Sequence, residues 1–429
     1  MKKLISLVAI LSLFSTFALS EIKNIKIDGS LDAVSINLDN STDLTKTDTS
    51  TGANDDLINQ TLSRLMLGLS ADLTDKVSGK ILIYKNDRLW GTPVDQDIVW
   101  ILSVVRVANA YVTLKDVVLD GLNLTVGRQF VGDQKDLLLY FGPLSDYNLS
   151  IWALDALKAE YNTELLSVGL VSGKILESSV LEPPEPGNHD VDILALDLAT
   201  EKIVPEGKVA LRFVNGVMNN PVSDNVNNLQ ILGLDLKGVI PVVEGLNYKL
   251  LYAMNMGKNA GVNYKGTGLV LGAGYDKELE VGKVNVKAEY ASGSGNDVST
   301  ADDEDFVSFG NDYRYGEVYG KGLNVGIDNV GGAGITNQTI IALEAGFAPS
   351  AILDGKLGLG LGYYMFSRTK VASGEDSNIG NEIDVKVKYD LTKDVCLGLT
   401  YGIFTPGKAL ESTGKDAANV LAMNLNVKF

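Results

Sequence analysis

Apolar and polar residues alternate along much of the chain with a period of two. Residues 419–429 are the clearest case, with apolar side chains at every second position: Leu421, Met423, Leu425, Val427 and Phe429. The same alternation occurs over 284–290, 383–389 and 395–403. It predicts β-strands that have one apolar and one polar face. Over 357–365 the second face is nearly bare, because it consists of Gly358, Gly360 and Gly362.

The interruptions between these segments fall into two classes of length. Short polar turns lie near 74–76, 162–163, 278–282, 353–355 and 392–394. Long hydrophilic loops lie at 39–56, 177–190, 215–227, 293–337, 370–381 and 405–418. An outer-membrane barrel has short turns at one end and long loops at the other. A soluble β-sandwich shares the alternation but gives no reason for this segregation, so the pattern favours the barrel.

The number of alternating segments sets the expected architecture. We expect about 18 strands, with about 16 as the alternative, because an even number returns both ends of the chain to one side of the membrane. Closure pairs every backbone N–H and C=O, as lipid requires. The sequence therefore predicts an all-β fold, a transmembrane antiparallel up-and-down β-barrel, as a single domain over residues 21–429. Residues 87–106 are interpreted as a loop, although a strand or short helix also fits them.

Residues 1–20 have the features of a Sec-type signal peptide. Lys2 and Lys3 precede the mostly apolar run Leu4–Phe14, and Ala18 and Ser20 are the small residues before the expected cleavage site. The run is too short to span a bilayer as a helix. Cleavage leaves 35 basic and 54 acidic residues, a net charge of 35 − 54 = −19. We expect export to the outer membrane of a Gram-negative-type envelope.

Composition excludes several classes of function. The formal charge of −17 disfavours a nucleic-acid partner, whose phosphates require basic surfaces. A single cysteine, Cys396, permits no internal disulfide, and the single histidine, His189, leaves few metal or acid–base sites. We therefore expect no enzymatic activity, no cofactor and no metal. The acidic excess lies mostly in loops, as at 302–305 and 182–185, where a solvated surface is favoured over a cation site.

Aromatic residues occur at the short-turn ends of several predicted strands and share parity with their apolar faces: Tyr161, Tyr275, Phe347, Tyr389 and Phe429. Rings at these positions predict an aromatic girdle that contacts outer-membrane lipids at the headgroup level. Phe429 on an alternating strand also resembles the sorting signal of bacterial outer-membrane barrels. The resemblance implies that the last strand is recognised by the outer-membrane barrel assembly machinery.

A second resemblance lies within the chain. The segment Val126-Gly127-Arg128-Gln129 is followed by Gly132-Asp133, and the next strand begins Trp152-Ala153-Leu154-Asp155-Ala156-Leu157-Lys158. This resembles the porin families that include alginate-export channels, in which a Gly-Arg-Gln strand end precedes a loop and an aromatic-x-x-Asp-Ala strand start. The resemblance implies an outer-membrane diffusion channel of roughly this strand number. It does not fix a polyuronate substrate.

The parity of Arg128 conflicts with a lumenal position. Arg128 shares parity with Leu122, Leu124 and Val126, so a regular strand would direct it toward lipid, at a cost of about 2 to 4 kcal/mol at the midplane. A bulge at Gly127 would turn Arg128 inward, and this interpretation is favoured over a position at the rim. Asp155 has the same ambiguity.

The residues on the strand faces opposite the apolar faces include both acids and bases. They predict a lumen of both charge signs, as a water-filled channel requires. The predicted pore-lining residues are Arg64, Arg128, Arg212, Asp235, Lys249, Lys287, Glu289, Glu344, Asp384, Lys386 and Lys388. The longest loop, 293–337, contains aromatic residues and an arginine that suggest a partly inserted segment. Its candidates for a constriction are Phe306, Phe309, Tyr313, Arg314 and Tyr315. The apolar stretch Leu89–Val105 is the rival.

These observations predict a porin that passes small hydrophilic solutes, such as ions, sugars or organic acids, by diffusion. A homotrimer is the candidate assembly. The alternative is a structural or adhesive barrel whose loops form the functional surface. An outer-membrane lipid hydrolase is disfavoured because His189, the only possible imidazole base, lies in a predicted loop.

Overall fold

The fold was analysed in a computed structural model, which describes residues 22–42, 44–45, 57–91, 105–177, 190–219, 226–297, 299–322, 332–411 and 413–429. The expected signal peptide, His189 and most of the stretch 89–105 lie outside these residues. Within them, no helix is long and apolar enough to cross a membrane. The helical elements described are two 3-10 turns, Leu353–Gly355 and Lys408–Leu410.

The described residues form nineteen β-strands. In chain order they are β1 (Lys23–Asp39), β2 (Ile58–Thr74), β3 (Val77–Leu89), β4 (Arg106–Leu114), β5 (Leu122–Gln129), β6 (Leu154–Asn162), β7 (Ser167–Leu176), β8 (Val191–Thr200), β9 (Lys208–Asn219), β10 (Val226–Val239), β11 (Leu246–Asn259), β12 (Val262–Asn263), β13 (Thr267–Leu279), β14 (Gly282–Gly293), β15 (Gln338–Pro349), β16 (Leu357–Arg368), β17 (Asn378–Thr392), β18 (Val395–Pro406) and β19 (Ala418–Lys428). The two-residue strand β12 lies in the connection between β11 and β13, which pair directly.

The other eighteen strands close into one antiparallel barrel, as the sequence predicts. Each pairs with its neighbours in the chain, and β19 returns to pair with β1. Beyond the last ladder pair, Gly29 and Phe429 exchange two backbone hydrogen bonds, with N···O distances of 2.8 and 3.1 Å. Strand β19 is therefore paired with β1 from Asn419 to Phe429, which closes the sheet.

The two faces of the wall differ as the alternation predicts. Leu421 and Met423 of β19 are exposed on the outer face, whereas Val420 and Ala422 are buried on the inner face. The short connections, such as the one between β17 and β18, lie at one end of the barrel, which we call the turn end. The long connections lie at the opposite end, which we call the loop end.

The barrel wall is not equally tall around its circumference. The strands β4 to β8 have 9, 8, 9, 10 and 10 residues, whereas β1 and β2 have 17 each and β17 has 15. The wall is therefore lowest along one continuous sector.

The expected bulge at Gly127 is absent, and the prediction that Arg128 lines the pore is wrong. Pairing runs without a register shift from Val126↔Leu157 through Gly127↔Ala156 to Arg128↔Asp155. Arg128 therefore shares the outer face with Val126, and its guanidinium lies 2.7 Å from the carboxylate of Asp155. The glycine has a φ of 125° but stays within the ladder. Asp155 likewise faces outward.

The closure seam leaves no room for a side chain at Gly29. A Cβ atom there would lie 2.6 Å from the carbonyl oxygen of Met66 and 2.6 Å from the Phe429 ring, whereas at Gly79 the nearest atom would be 3.7 Å away. Gly29→Ala should therefore destabilise the barrel by about 1 to 3 kcal/mol, the usual cost of overpacking. Gly79→Ala, the matched control, should be nearly neutral. The temperature at which the folded band is lost in electrophoresis measures this, and equal values for the two variants would contradict it.

Candidate functional site: the lumen and its two inner loops

Two long connections fold back into the barrel over the residues that the structure describes. The first inner loop, residues 130–153, joins β5 to β6, and the second inner loop, residues 294–337, joins β14 to β15. They contact each other through a parallel bridge between Leu139 and Phe309 and through a 3.0 Å hydrogen bond from the Tyr140 N–H to the Gly310 carbonyl. Much of the buried apolar core of the described chain therefore lies inside the barrel.

Aromatic residues of the second inner loop pack against the inner wall. Tyr319 is buried and stacks on Phe366 of β16 at 4.0 Å between ring centroids. Phe309 fills the space beside Gly216, where a Cβ atom would lie 2.1 Å from its ring. Phe306 lies against Gly268, where the corresponding distance is 2.9 Å. Inward glycines of the wall therefore provide the clearance for the loop rings.

Two carboxylates of β17 hold the backbone of the second inner loop. Glu382 accepts hydrogen bonds from the N–H groups of Val318 and Tyr319, at 2.7 and 2.8 Å, and Asp384 accepts one from the Glu317 N–H at 3.1 Å. Both acids have negligible exposed surface. Each buried N–H left without an acceptor would cost about 1 to 3 kcal/mol. We call this set of three hydrogen bonds the loop latch.

Glu317 adds an ionic connection beside the loop latch. Its carboxylate lies 2.9 Å from Lys321 and 2.8 Å from Lys386 of β17, and it accepts a 3.0 Å hydrogen bond from the Tyr147 hydroxyl of the first inner loop. Burial opposes ionisation of Glu317, but the two lysines outweigh it and lower its pKa to about 2. One ionised side chain therefore connects both inner loops and the wall.

A second carboxylate, Glu289 of β14, lies three strands from β17 and organises another part of the lumen. It accepts hydrogen bonds from the hydroxyls of Tyr313 and Tyr315, the latter at 2.5 Å, and lies 3.0 Å from each of Lys249 and Lys287. Burial, followed by the negative charge of Glu289, raises the pKa of Tyr313, so that this hydroxyl stays protonated as a donor. The loop tyrosines are therefore fixed to a charged wall site.

The first inner loop is anchored by basic residues of the wall. Asp136 pairs with Arg212 of β9, and Arg64 of β2 donates a 3.2 Å hydrogen bond to the Leu149 carbonyl while lying 2.9 Å from Asp32. Asp312 of the second inner loop accepts a 2.6 Å hydrogen bond from the Ser145 N–H, which ties the two loops together.

A cavity of about 330 Å³ remains between Lys135 of the first inner loop and the wall formed by β11 and β13 to β15. It is lined by both signs of charge: Lys135, Lys249, Lys287, Asp276, Glu289 and Glu344. Gly272 lies between Lys249 and Glu289 in the ladder, and even a methyl group there would approach the carboxylate to 3.4 Å. The bare positions in the wall therefore leave space for long charged side chains.

The remaining predicted pore-lining residues all lie on the inner face. Asp235 of β10 faces inward beside Ala210, and Glu344 accepts a 2.8 Å hydrogen bond from the Tyr364 hydroxyl. Lys388 is the most open, with 61% of its side chain exposed.

The constriction candidate Arg314 contacts its own loop, pairing with Asp312 at 2.6 Å and donating a hydrogen bond to the Gly320 carbonyl. The five girdle residues lie on the outer face near the turn end.

The sequence pattern did not mark the first inner loop as an inserted segment, although its run Leu137–Phe141 is too apolar for an open loop and all five side chains are buried. It also did not identify Glu382 or Glu317 as loop contacts. Their partners are backbone N–H groups, the sequence-distant Lys386, and Lys321 four residues away, and the period-two pattern gives no sign of these contacts.

Comparisons with known proteins agree with this fold. No protein-family model and no curated protein match the chain. Among solved structures, the Pseudomonas aeruginosa porin OccK11 (OpdR) matches with a TM-score of 0.60 at 13% identity, covering 94% of this chain and 96% of that one. OpdK with vanillate gives 0.58 at 12%, covering 95% and 98%, and OprD gives 0.58 at 10%, covering 95% and 95%. The chain therefore has the closed 18-stranded fold of these porins.

The loop latch predicts the behaviour of two variants at one position. Glu382→Ala leaves the N–H groups of Val318 and Tyr319 without acceptors, so residues 294–337 should loosen while the barrel stays folded. Trypsin cleavage after Arg314 or Lys321 should then become faster. Glu382→Gln keeps a carbonyl acceptor and should be intermediate. Cleavage of Glu382→Ala at the rate of the unsubstituted protein would contradict the latch.

Proposed function

We propose that the protein is an outer-membrane porin that passes small hydrophilic solutes, such as ions, sugars or organic acids, by diffusion. The observation that carries the proposal is the closed barrel with an apolar outer face and a charged inner face, narrowed by two loops fixed to the wall. A barrel that only presented its loops would gain nothing from lumenal charges arranged around a polar cavity.

The charges in the lumen support a channel for polar solutes. The buried acids Glu289, Glu382 and Asp384 accept hydrogen bonds from the loop or pair with lysines. These carboxylates are therefore already bound to groups of the protein. Lys287 and Lys388 keep 37% and 61% of their side chains exposed. Such side chains can exchange water contacts for contacts with a passing solute. We propose that Tyr313, Tyr315 and the rings beside them form the constriction.

The location and assembly of the protein follow from the same proposal. Residues 1–20 would direct export, the turn end would face the periplasm, and the girdle residues would contact lipid headgroups. The strand ending at Phe429 would be recognised by the barrel assembly machinery. Self-association, with a homotrimer as the candidate, is part of the proposal. The proposed function involves no catalysis, cofactor, metal or nucleic-acid partner. The motif at Gly127–Gln129 gives no reason to prefer alginate among solutes.

The decisive test is conductance in planar bilayers. The purified mature protein should produce stepwise ionic currents. Absence of any step from folded protein would favour the alternative, a structural or adhesive barrel.

Lys388 offers a test of how lumenal charge sets ion preference. Lys388→Gln removes an exposed lumenal cation and should shift the reversal potential in a salt gradient toward cation preference. Lys393, whose side chain is 89% exposed in a turn, gives the matched control Lys393→Gln, which should have little effect. Equal shifts for the two variants would show that lumenal position does not matter.

A further inference from the structure

Four charged residues form a row across the outer face of four consecutive strands. The pairs Arg128↔Asp155, Asp155↔Lys174 and Lys174↔Asp192 are direct neighbours in the ladders of β5 to β8. Arg128 lies 2.7 Å from Asp155, and Lys174 lies 3.5 Å from Asp192, so the charges pair within the chain. Their side chains are still open, since that of Asp155 is 64% exposed and that of Asp192 is 50% exposed. We call these four residues the outer charge row.

The outer charge row limits a narrow apolar band on this side of the barrel. Between the row and the level of the girdle residue Tyr161, each strand has three outward positions, and the ladders align them in three further rows. All are uncharged, and all but Ser172 are apolar or aromatic: Leu122, Leu124 and Val126 on β5, Leu157, Ala159 and Tyr161 on β6, Val168, Leu170 and Ser172 on β7, and Leu194, Leu196 and Leu198 on β8.

Elsewhere the barrel carries a taller apolar band. On β19 the first polar outward residue, Asn419, lies ten residues from the girdle residue Phe429, and on β17 the corresponding separation from Tyr389 is eight residues. On β6 the separation between Tyr161 and Asp155 is only six residues. The band of the sector β5 to β8 is therefore shorter by about 5 to 10 Å along the barrel axis, at about 3.3 Å per residue and a strand tilt of about 40°.

Acyl chains are poor neighbours for the outer charge row. A charged side chain that faces hydrocarbon loses its hydration, and acyl chains offer no hydrogen bonds in return. Glu177 and Asp190 lie 2.5 and 3.5 Å from Lys174, so further carboxylates that need water lie beside the row. The wall also ends here, because Arg128 is next to last in β5 and Asp155 is second in β6. Little wall is left beyond the row for acyl chains to cover.

We propose that the sector β5 to β8 thins the bilayer, so that polar headgroups and water reach the outer charge row from the loop end. A bilayer meets a short apolar band by local thinning at a modest cost. The headgroup layer then solvates the exposed charges without any other protein. The first inner loop leaves the wall after Gln129 and returns to it at Leu154, so the lowered bilayer surface lies beside the entry of this loop into the lumen.

This inference rests on the membrane location proposed above but not on conductance. A barrel that conducts, in a bilayer of even thickness, would keep the proposed function and lose the inference. A barrel that carries no current but thins the bilayer would do the reverse.

Spin labels test the proposal in the full-length mature protein, reconstituted in dioleoylphosphatidylcholine vesicles. Cys396 is the only cysteine, so Cys396→Ser gives a background without thiols. Ser172→Cys and Ala288→Cys place a nitroxide on matched outward positions, four residues along the strand from the rows of the girdle residues Tyr161 and Phe347. The label at Ser172 should be several-fold more accessible to a water-soluble nickel chelate than the label at Ala288. Equal, low accessibility at both positions would overturn the proposal.

A label at the turn end separates thinning from a tilt of the whole barrel. Tilting would also bring Ser172 toward the surface, but it would move the turn end of the same strands into hydrocarbon. Leu122 of β5 pairs with Tyr161 at that end. With a thinned bilayer, a nitroxide on Leu122→Cys should stay at the interface and remain accessible to the chelate. Loss of that accessibility, together with an accessible Ser172 label, would assign the result to tilt and refute the proposal.

Charge removal tests whether the outer charge row sets the level of the headgroups. In the Ser172→Cys background, the double substitution Asp155→Leu with Lys174→Leu removes two opposite charges and should reduce the accessibility to the chelate at least twofold. The matched double substitution Lys393→Leu with Asp394→Leu, on a pair exposed in a turn, should leave it unchanged. A heat-dependent band shift confirms that each variant is folded. Unchanged accessibility in the folded Asp155→Leu, Lys174→Leu variant would contradict the proposal.

Discussion

The pairing of backbone polar groups constrains every other part of this structure. In hydrocarbon no water is available for an open N–H or C=O, so a sheet is stable there only when its first and last strands meet. The chain meets this requirement where Gly29 and Phe429 exchange two hydrogen bonds at the end of the β1–β19 ladder. Closure then fixes the register around the barrel, and register decides which side chain of each strand faces outward.

Inside the closed wall the same requirement applies to the two loops. A loop that enters a lumen brings backbone donors away from bulk water, and these need acceptors. Glu382 and Asp384 supply these acceptors from the wall, while Glu317 and Glu289 form ion pairs with lysines of the wall. The acids of the lumen therefore do more to hold the loops than to attract cations, and several lysines stay exposed to solvent.

The sequence was sufficient to predict the barrel, its strand number and the faces of nearly all predicted lumenal residues. This was possible because the alternation of apolar and polar residues along a strand is directly visible in the sequence. It was insufficient for Arg128, where a bulge at Gly127 that would turn the side chain inward was favoured over a position at the rim. The neighbouring strand instead supplies Asp155 on the outer face. The loop contacts could not be predicted from the sequence either, since folding of the loop brings Glu382 and Tyr319 together and no periodic pattern relates them.

The central claim is that two anchored loops leave a narrow polar passage through an otherwise closed barrel. Swelling of liposomes that contain the mature protein measures this directly, with a series of uncharged sugars of increasing size and a small carboxylate. The account predicts rapid swelling with the smallest solutes and a sharp fall as size increases. Swelling that does not depend on size, or no swelling with any solute, would contradict it.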